Sequence, residues 1–171
     1  MTALSGRPMW APITGWMRQL IEVLADIYAV DTAAATVRPF QPYTQDSYAL
    51  PKWVTKPAVW ERALEIFHGP MIDEDRTFIH RDFYPANVLW FTGGSVAWSI
   101  GKRPEAASIG LRSMDVAHCR INLLLDDLYQ AERFRQEWEA ITGNTFHPNA
   151  DIATIIGLLD VHRRHPAAAI L

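Results

Sequence analysis

Cysteine is almost missing from this chain. Cys119 is the only one in 171 residues, which excludes an intrachain disulfide framework and any multi-cysteine zinc site. Long hydrophobic runs are missing too. The longest apolar stretch, Pro8 to Met17, lies between Arg7 and Arg18, holds two prolines and carries no small-residue cleavage pattern. It reads as neither signal peptide nor membrane span. No Lys/Arg-rich run stands out, and 16 basic against 19 acidic residues give a net charge of -3, so no nucleic-acid partner is expected. What remains is an ordinary globular composition, 49% apolar and 20% charged, of a length that favours one domain over residues 1–171. A cytoplasmic, soluble protein is the expectation.

Apolar residues recur at helical spacing in five places. Trp16, Leu20, Val23, Leu24 and Ile27 mark the first helix, with Thr14 available as N-cap. Three prolines and many polar residues between Val30 and Lys52 then predict a long extended connection. Thr55 and Pro57 open a second helix with Trp60, Leu64 and Phe67 as its buried stripe, ended by His68-Gly69-Pro70. Two short apolar runs follow, Thr77 to Ile79 and Asn87 to Phe91. Gly93-Gly94 offers a hairpin turn from the second of these into Ser95 to Ile100.

Three more helices are predicted. One starts near Ser113 with Val116, Cys119, Leu123 and Leu124. The next carries Ala131, Phe134, Trp138 and Ile141 and stops at Thr142-Gly143-Asn144. The last carries Ile152, Ile155, Ile156 and Leu159. The fold class is therefore α+β, mostly helical, with one small hairpin and without the alternating βαβ of a nucleotide-binding sheet. Asp73-Glu74-Asp75 and Asp126-Asp127 read as solvated charged turns, His162 to His165 as solvated tail, and Cys119 and the seven tryptophans chiefly as core.

The stretch that carries chemistry is Phe78-Ile79-His80-Arg81-Asp82-Phe83-Tyr84-Pro85-Ala86-Asn87-Val88-Leu89-Trp90. His-Arg-Asp, four residues and then Asn before an apolar strand is the spacing of a kinase catalytic loop. Phosphoryl transfer needs a carboxylate to orient and deprotonate the attacking hydroxyl, which Asp82 supplies. It also needs hard oxygen ligands for Mg²⁺, and the Asn87 side-chain carbonyl is one. A plain turn before a buried strand is the competing reading. Four fixed residues match by chance in a chain this long with odds on the order of one in a thousand, so the loop reading wins.

The stretch resembles the catalytic loop of the aminoglycoside phosphotransferase and choline-kinase-like family, His-x-Asp-x-x-x-x-Asn. Ile27-Tyr28-Ala29-Val30-Asp31 is similar to the family's Ile-His-Ala-Val-Asp helix end, with Tyr28 where a His is usual. Trp60 to Ala63, Asp115 to Leu123, Phe134 to Gly143 and His147-Pro148 extend the resemblance over roughly Trp16 to Leu159. It implies a protein-kinase-like C-terminal lobe and ATP- and Mg²⁺-dependent phosphorylation of a small-molecule hydroxyl, aminoglycoside-like or another alcohol. By resemblance Asp82 is the catalytic base, with His80 bracing the loop from inside. Asn87 is a metal ligand, and Asp115 a buried anchor for the loop backbone; a helix N-terminal carboxylate is the alternative for Asp115.

Two departures weaken that implication. The family's Ile-Asp-Trp triplet supplies a second metal carboxylate, and here its place is taken by Ala97 or Gly101, depending on alignment. No Asp or Glu occurs between Asp82 and Glu105, and Lys102 and Arg103 add positive charge there. Glu105 is a poor substitute. Losses of this kind commonly cost about 10²–10³ in rate.

The second departure is that only about 80 residues precede the loop, with no Gly-rich loop and strand Lys. The expectation is the second lobe alone, with ATP and Mg²⁺ binding in doubt. A Walker A loop at Gly94 and Gly101-Lys102 is rejected, because six residues separate the glycines and Arg103 stands where Ser or Thr is required. Three readings stay open: an active enzyme completed by a partner chain, a dead family member that binds or regulates, and a truncated remnant. The last would associate through its uncovered lobe face.

Overall fold

The computed structural model describes residues 6–8, 15–32, 37–41, 54–70, 72–91, 96–98 and 107–164. The first helix, α1 (Trp16–Tyr28), buries Met17, Leu20, Ile21, Val23, Leu24 and Ile27 along one face. Its cap differs from expectation: Thr14 lies outside the described residues, and the N-cap is Gly15 at φ 78 with no side-chain hydrogen bond. A left-handed turn of that kind suits a residue without Cβ. Trp16 is half-buried against the core instead of being part of it.

The second helix, α2 (Pro57–Phe67), starts on its proline as expected but has no buried residue at all. Trp60, Leu64 and Phe67 are half-buried. The stripe has the right period, yet α2 rests chiefly on the last helix, so one neighbour covers it incompletely.

Among the described residues five short strands lie around the motif. β1 (Arg7–Pro8), β3 (Val88–Trp90) and β4 (Val96–Trp98) form one antiparallel sheet in the order β1-β3-β4, and β2 (Arg76–Ile79) pairs with β5 (Ser108–Leu111) in another. The hairpin β3–β4 is the expected one, in the register Leu89 opposite Ala97. The β2–β5 pair was not legible. It sets Phe78 opposite Ile109 and Ile79 opposite Ser108, and so holds the approach to His80. Part of the extended connection docks here too: the Phe40 N–H donates to the Ile109 carbonyl at 2.7 Å and the Ile109 N–H to the Arg38 carbonyl at 2.9 Å.

The remaining helices are α3 (Arg112–Asp126), α4 (Leu128–Thr142) and α5 (Asn149–Arg164). On α3, Val116, Cys119 and Leu123 are buried as expected, but Leu124 is exposed. The first acidic turn is only partly solvated, since Glu74 accepts the Ser113 N–H at 3.1 Å and pairs with Arg112 at the start of α3. In the second, Asp127 caps α4 by accepting the Tyr129 N–H at 2.8 Å.

α4 buries Ala131, Phe134 and Trp138, leaves Ile141 at the surface and stops at Gly143, φ 71. α5 buries Ile156 and leaves Ile155 exposed, while the side chain of Leu159 lies outside the described residues. Of the tryptophans described, Trp90 and Trp138 are buried. The core joins the α1 stripe to Phe78, Phe83, Val88, Trp90, Val116, Phe134 and Trp138. Each large side chain so buried stabilises by about 1.5–3 kcal/mol. Arg120 ties three elements together, reaching Asp151 on α5 at 3.2 Å and the Ala131 carbonyl on α4 at 3.0 Å. No helix among the described residues is long and apolar enough to cross a membrane.

Candidate active site

β2 delivers the chain to His80, which is buried, and there the backbone turns sharply: Arg81 has φ 70. A non-glycine residue in the left-handed region costs about 1 kcal/mol or more and persists only where its surroundings hold it. Asp115 does so. One turn into α3 and wholly buried, it accepts the His80 N–H on Oδ2 at 2.7 Å and the Arg81 N–H on Oδ1 at 2.6 Å. Burial pushes the Asp115 carboxyl up, and the two N–H donors with His80 and His118 pull against that. The Arg81 side chain is held from outside. Its Nη2 donates to the Gln41 carbonyl at 3.0 Å, and its guanidinium stands 4.9 Å over the Phe40 ring.

Beyond this bend the loop turns Asp82 outward while Phe83 and Pro85 stay buried. The Asp82 N–H donates to His80 Nδ1 at 3.3 Å, and the His80 ring meets Phe83 edge-on. The Asp82 carboxylate is half-exposed, with Oδ1 3.2 Å from His118 Nε2. Pro85–Asn87 form a single 3-10 turn. Asn87 closes the loop by donating from Nδ2 to the Asp82 carbonyl at 2.8 Å, and Trp90 locks the turn through Nε1 to the Pro85 carbonyl at 3.0 Å. Asp82, His80, Asn87 and Asp115 thus meet at one loop.

Tyr28, standing where the family has a His, is a tie between elements. Its hydroxyl donates to the Arg112 carbonyl at 3.0 Å, and its carbonyl accepts the Thr77 hydroxyl at 2.7 Å. Burial pushes the phenol well above its usual range.

Sequence reasoning missed His118. Adjacent residues on a helix face different directions, which sets the His118-Cys119 pair aside as a site, yet Asp115 and His118 are three residues apart on α3 and so share a face. That spacing was the available signal. With Tyr84 near its ring, His118 forms the wall behind Asp82.

The metal side is another matter. Ala97 lies on β4, and Gly101 and Glu105 fall outside the described residues. Among the described residues no three His, Cys, Asp or Glu side chains cluster so as to hold a metal ion. Among the described residues the oxygen donors at the loop are the Asp82 carboxylate, 3.2 Å from His118 Nε2, and the Asn87 side-chain carbonyl. Mg²⁺ is commonly held by one or two carboxylates together with substrate phosphates and waters, and of these the described residues supply one carboxylate.

A family model described as the phosphotransferase enzyme family matches residues 1–144. A search of curated proteins finds no match.

Proposed function

The chain belongs to the phosphotransferase enzyme family, and from that premise we propose that it is a degenerate member whose catalytic loop keeps the acceptor half of the reaction. In this reading Asp82 is the residue that orients an alcohol and accepts its proton, since its carboxylate is the exposed one. His80, Asn87 and Asp115 are positioning residues, acting on the loop backbone and not on substrate. ATP-dependent turnover is largely lost. The observation that carries this reading is a braced loop whose facing carboxylate is absent from the sequence between Asp82 and Glu105.

The test is a thermal-shift titration of the purified chain with ATP, with Mg²⁺ present and with it chelated, beside a phosphoryl-transfer assay on small alcohols. Ligand at a hundred times its Kd would stabilise the fold by about 2.7 kcal/mol, well within detection. The expected result is no Mg²⁺-dependent shift in a cooperatively folded protein. A clear shift with turnover that Asp82→Asn abolishes would restore the chain to the active members.

A further inference from the structure

The corner between α3 and α4 carries six exposed residues in succession, Leu124-Leu125-Asp126-Asp127-Leu128-Tyr129, and four of them are large and apolar. Leu125 is 84% exposed, Tyr129 71% and Leu128 69%. Single exposed leucines are ordinary, but contiguous apolar surface marks a place of contact. The corner is also stiff. Asp127 alone separates the two helices. Its N–H donates to the Leu123 carbonyl at 2.8 Å, closing α3, and its carboxylate accepts the Tyr129 N–H at 2.8 Å, opening α4. A knob held in this way has little freedom to lose on docking.

The same chain has a hollow of the matching kind. Between α2 and α5 lies a groove of about 280 Å³, with Val59, Trp60 and Ala63 on one side and Ile152 and Ile155 on the other. Val59 and Ile155 are themselves exposed, so the two helices leave the groove open. The one charged residue in its described lining is Lys56, exposed at the start of α2. The knob is apolar with two carboxylates, and the groove is apolar with an ammonium group. Convex meets concave and the charges are opposite, yet both surfaces stay uncovered in the single chain.

We propose that the α3–α4 corner of one copy of this chain docks into the α2–α5 groove of a second copy, with Leu125 and Leu128 in the groove and Asp126 and Asp127 facing Lys56. Corner against corner would set the acids of both copies side by side, and groove against groove would leave both hollows unfilled. A single corner-to-groove contact is heterologous. Made reciprocally it closes a dimer; made once per chain it leaves a free corner and a free groove, and the assembly grows. The contact requires neither nucleotide nor metal, so it stands apart from the chemistry of Asp82.

Its test is sedimentation velocity of the purified 171-residue chain without nucleotide or metal. Concentrations from about 1 μM to about 1 mM bracket the Kd of a small apolar interface, and the weight-average coefficient should rise across them. Leu125→Asp puts a third acid on the corner and Val59→Asp puts one in the groove. Each should weaken association at least about tenfold. Each variant keeps the other half intact, so an equimolar mixture should form mixed dimers that neither variant forms alone. Lys56→Glu should weaken association about fivefold.

A chain that sediments as a monomer throughout would overturn the proposal and leave these surfaces to another partner or to none. Association unchanged by either aspartate variant, or a mixture that stays monomeric, would overturn it too. Loss with the corner variant alone would mean corner against corner, which is a different assembly. Urea denaturation checks that the variants fold. Where one does not, Leu128→Ser replaces the corner variant or Ile155→Ser the groove variant, under the same expectations.

Discussion

Asp115 and Asp82 flank one short loop and live in opposite surroundings. Asp115 is wholly buried and gives both oxygens to the N–H groups of His80 and Arg81, while the Asp82 carboxylate is half-exposed and meets His118. On the inner side every element converges on holding the bend, from the β2–β5 register to the residue 37–41 segment that grips Arg81. The outer side has the Asp82 carboxylate and the Asn87 amide, and no further Asp or Glu follows in the sequence before Glu105. Scaffold and chemistry are therefore separable here. The groups that fix the loop, Asp115 and the Gln41 carbonyl among them, are not those on its outer side, so the bend can persist when the outer set changes.

That separation can be broken most directly at Asp115. Asp115→Ala leaves two buried N–H donors without a partner, and about 2–4 kcal/mol of stability should be lost, read by urea denaturation. A loss below about 0.5 kcal/mol, the scatter of ordinary surface changes, would mean that the loop is not held from within.

Gly110→Ala probes the same side from β5, where an added Cβ meets the Ile79 side chain and lies 2.9 Å from the Phe40 Cβ. Overpacking of this kind should cost about 1–3 kcal/mol, and the same denaturation series checks it. Asp82→Asn is the counterpart on the outer side. Its stability should stay within about 0.5 kcal/mol of the parent, since a half-exposed pair contributes little. A loss as large as that of Asp115→Ala would merge the two sides into one.

The smallest effect is in the acid range. Arg135 and Gln136 hold the exposed Glu132 carboxyl down to about 2 from its usual 4.5. Its contribution is present above 4.5 and is lost as pH falls towards about 2. Asp115 runs the other way: its folded value is raised, so acidification from that value to its usual 3.8 adds stability. Replacing Glu132 by Gln should flatten the acid limb of a stability–pH curve slightly, and Asp115→Asn should steepen it.

The four loop residues were legible because the chemistry fixes their spacing within eight positions of sequence, with Asp115 added by resemblance to the family. α1 and α3 to α5 were legible because their stripes are local. What failed was non-local. Nothing in residues 76–79 announces residues 108–111 as their partner, and nothing in Trp60, Leu64 and Phe67 says that α5 is the helix α2 rests on chiefly. His118 failed for a different reason: as a pair with Cys119 it points two ways from the helix, and the partner that matters, Asp82, lies 36 residues away in the chain. Glu74 and Asp127 read as plain charge because a helix cap is identified by the helix that starts on it.

The lone thiol has a use that packing does not suggest. Cys119 is fully buried, its thiol is pushed well above the usual range by that burial, and it stands one residue from His118 on the helix that also carries Asp115. A thiol reagent can reach it only when the packing around that helix opens. Its labelling rate is thus a built-in clock for opening of the core at α3, readable in the native chain by mass spectrometry. Because no second cysteine competes, each modified molecule records one opening.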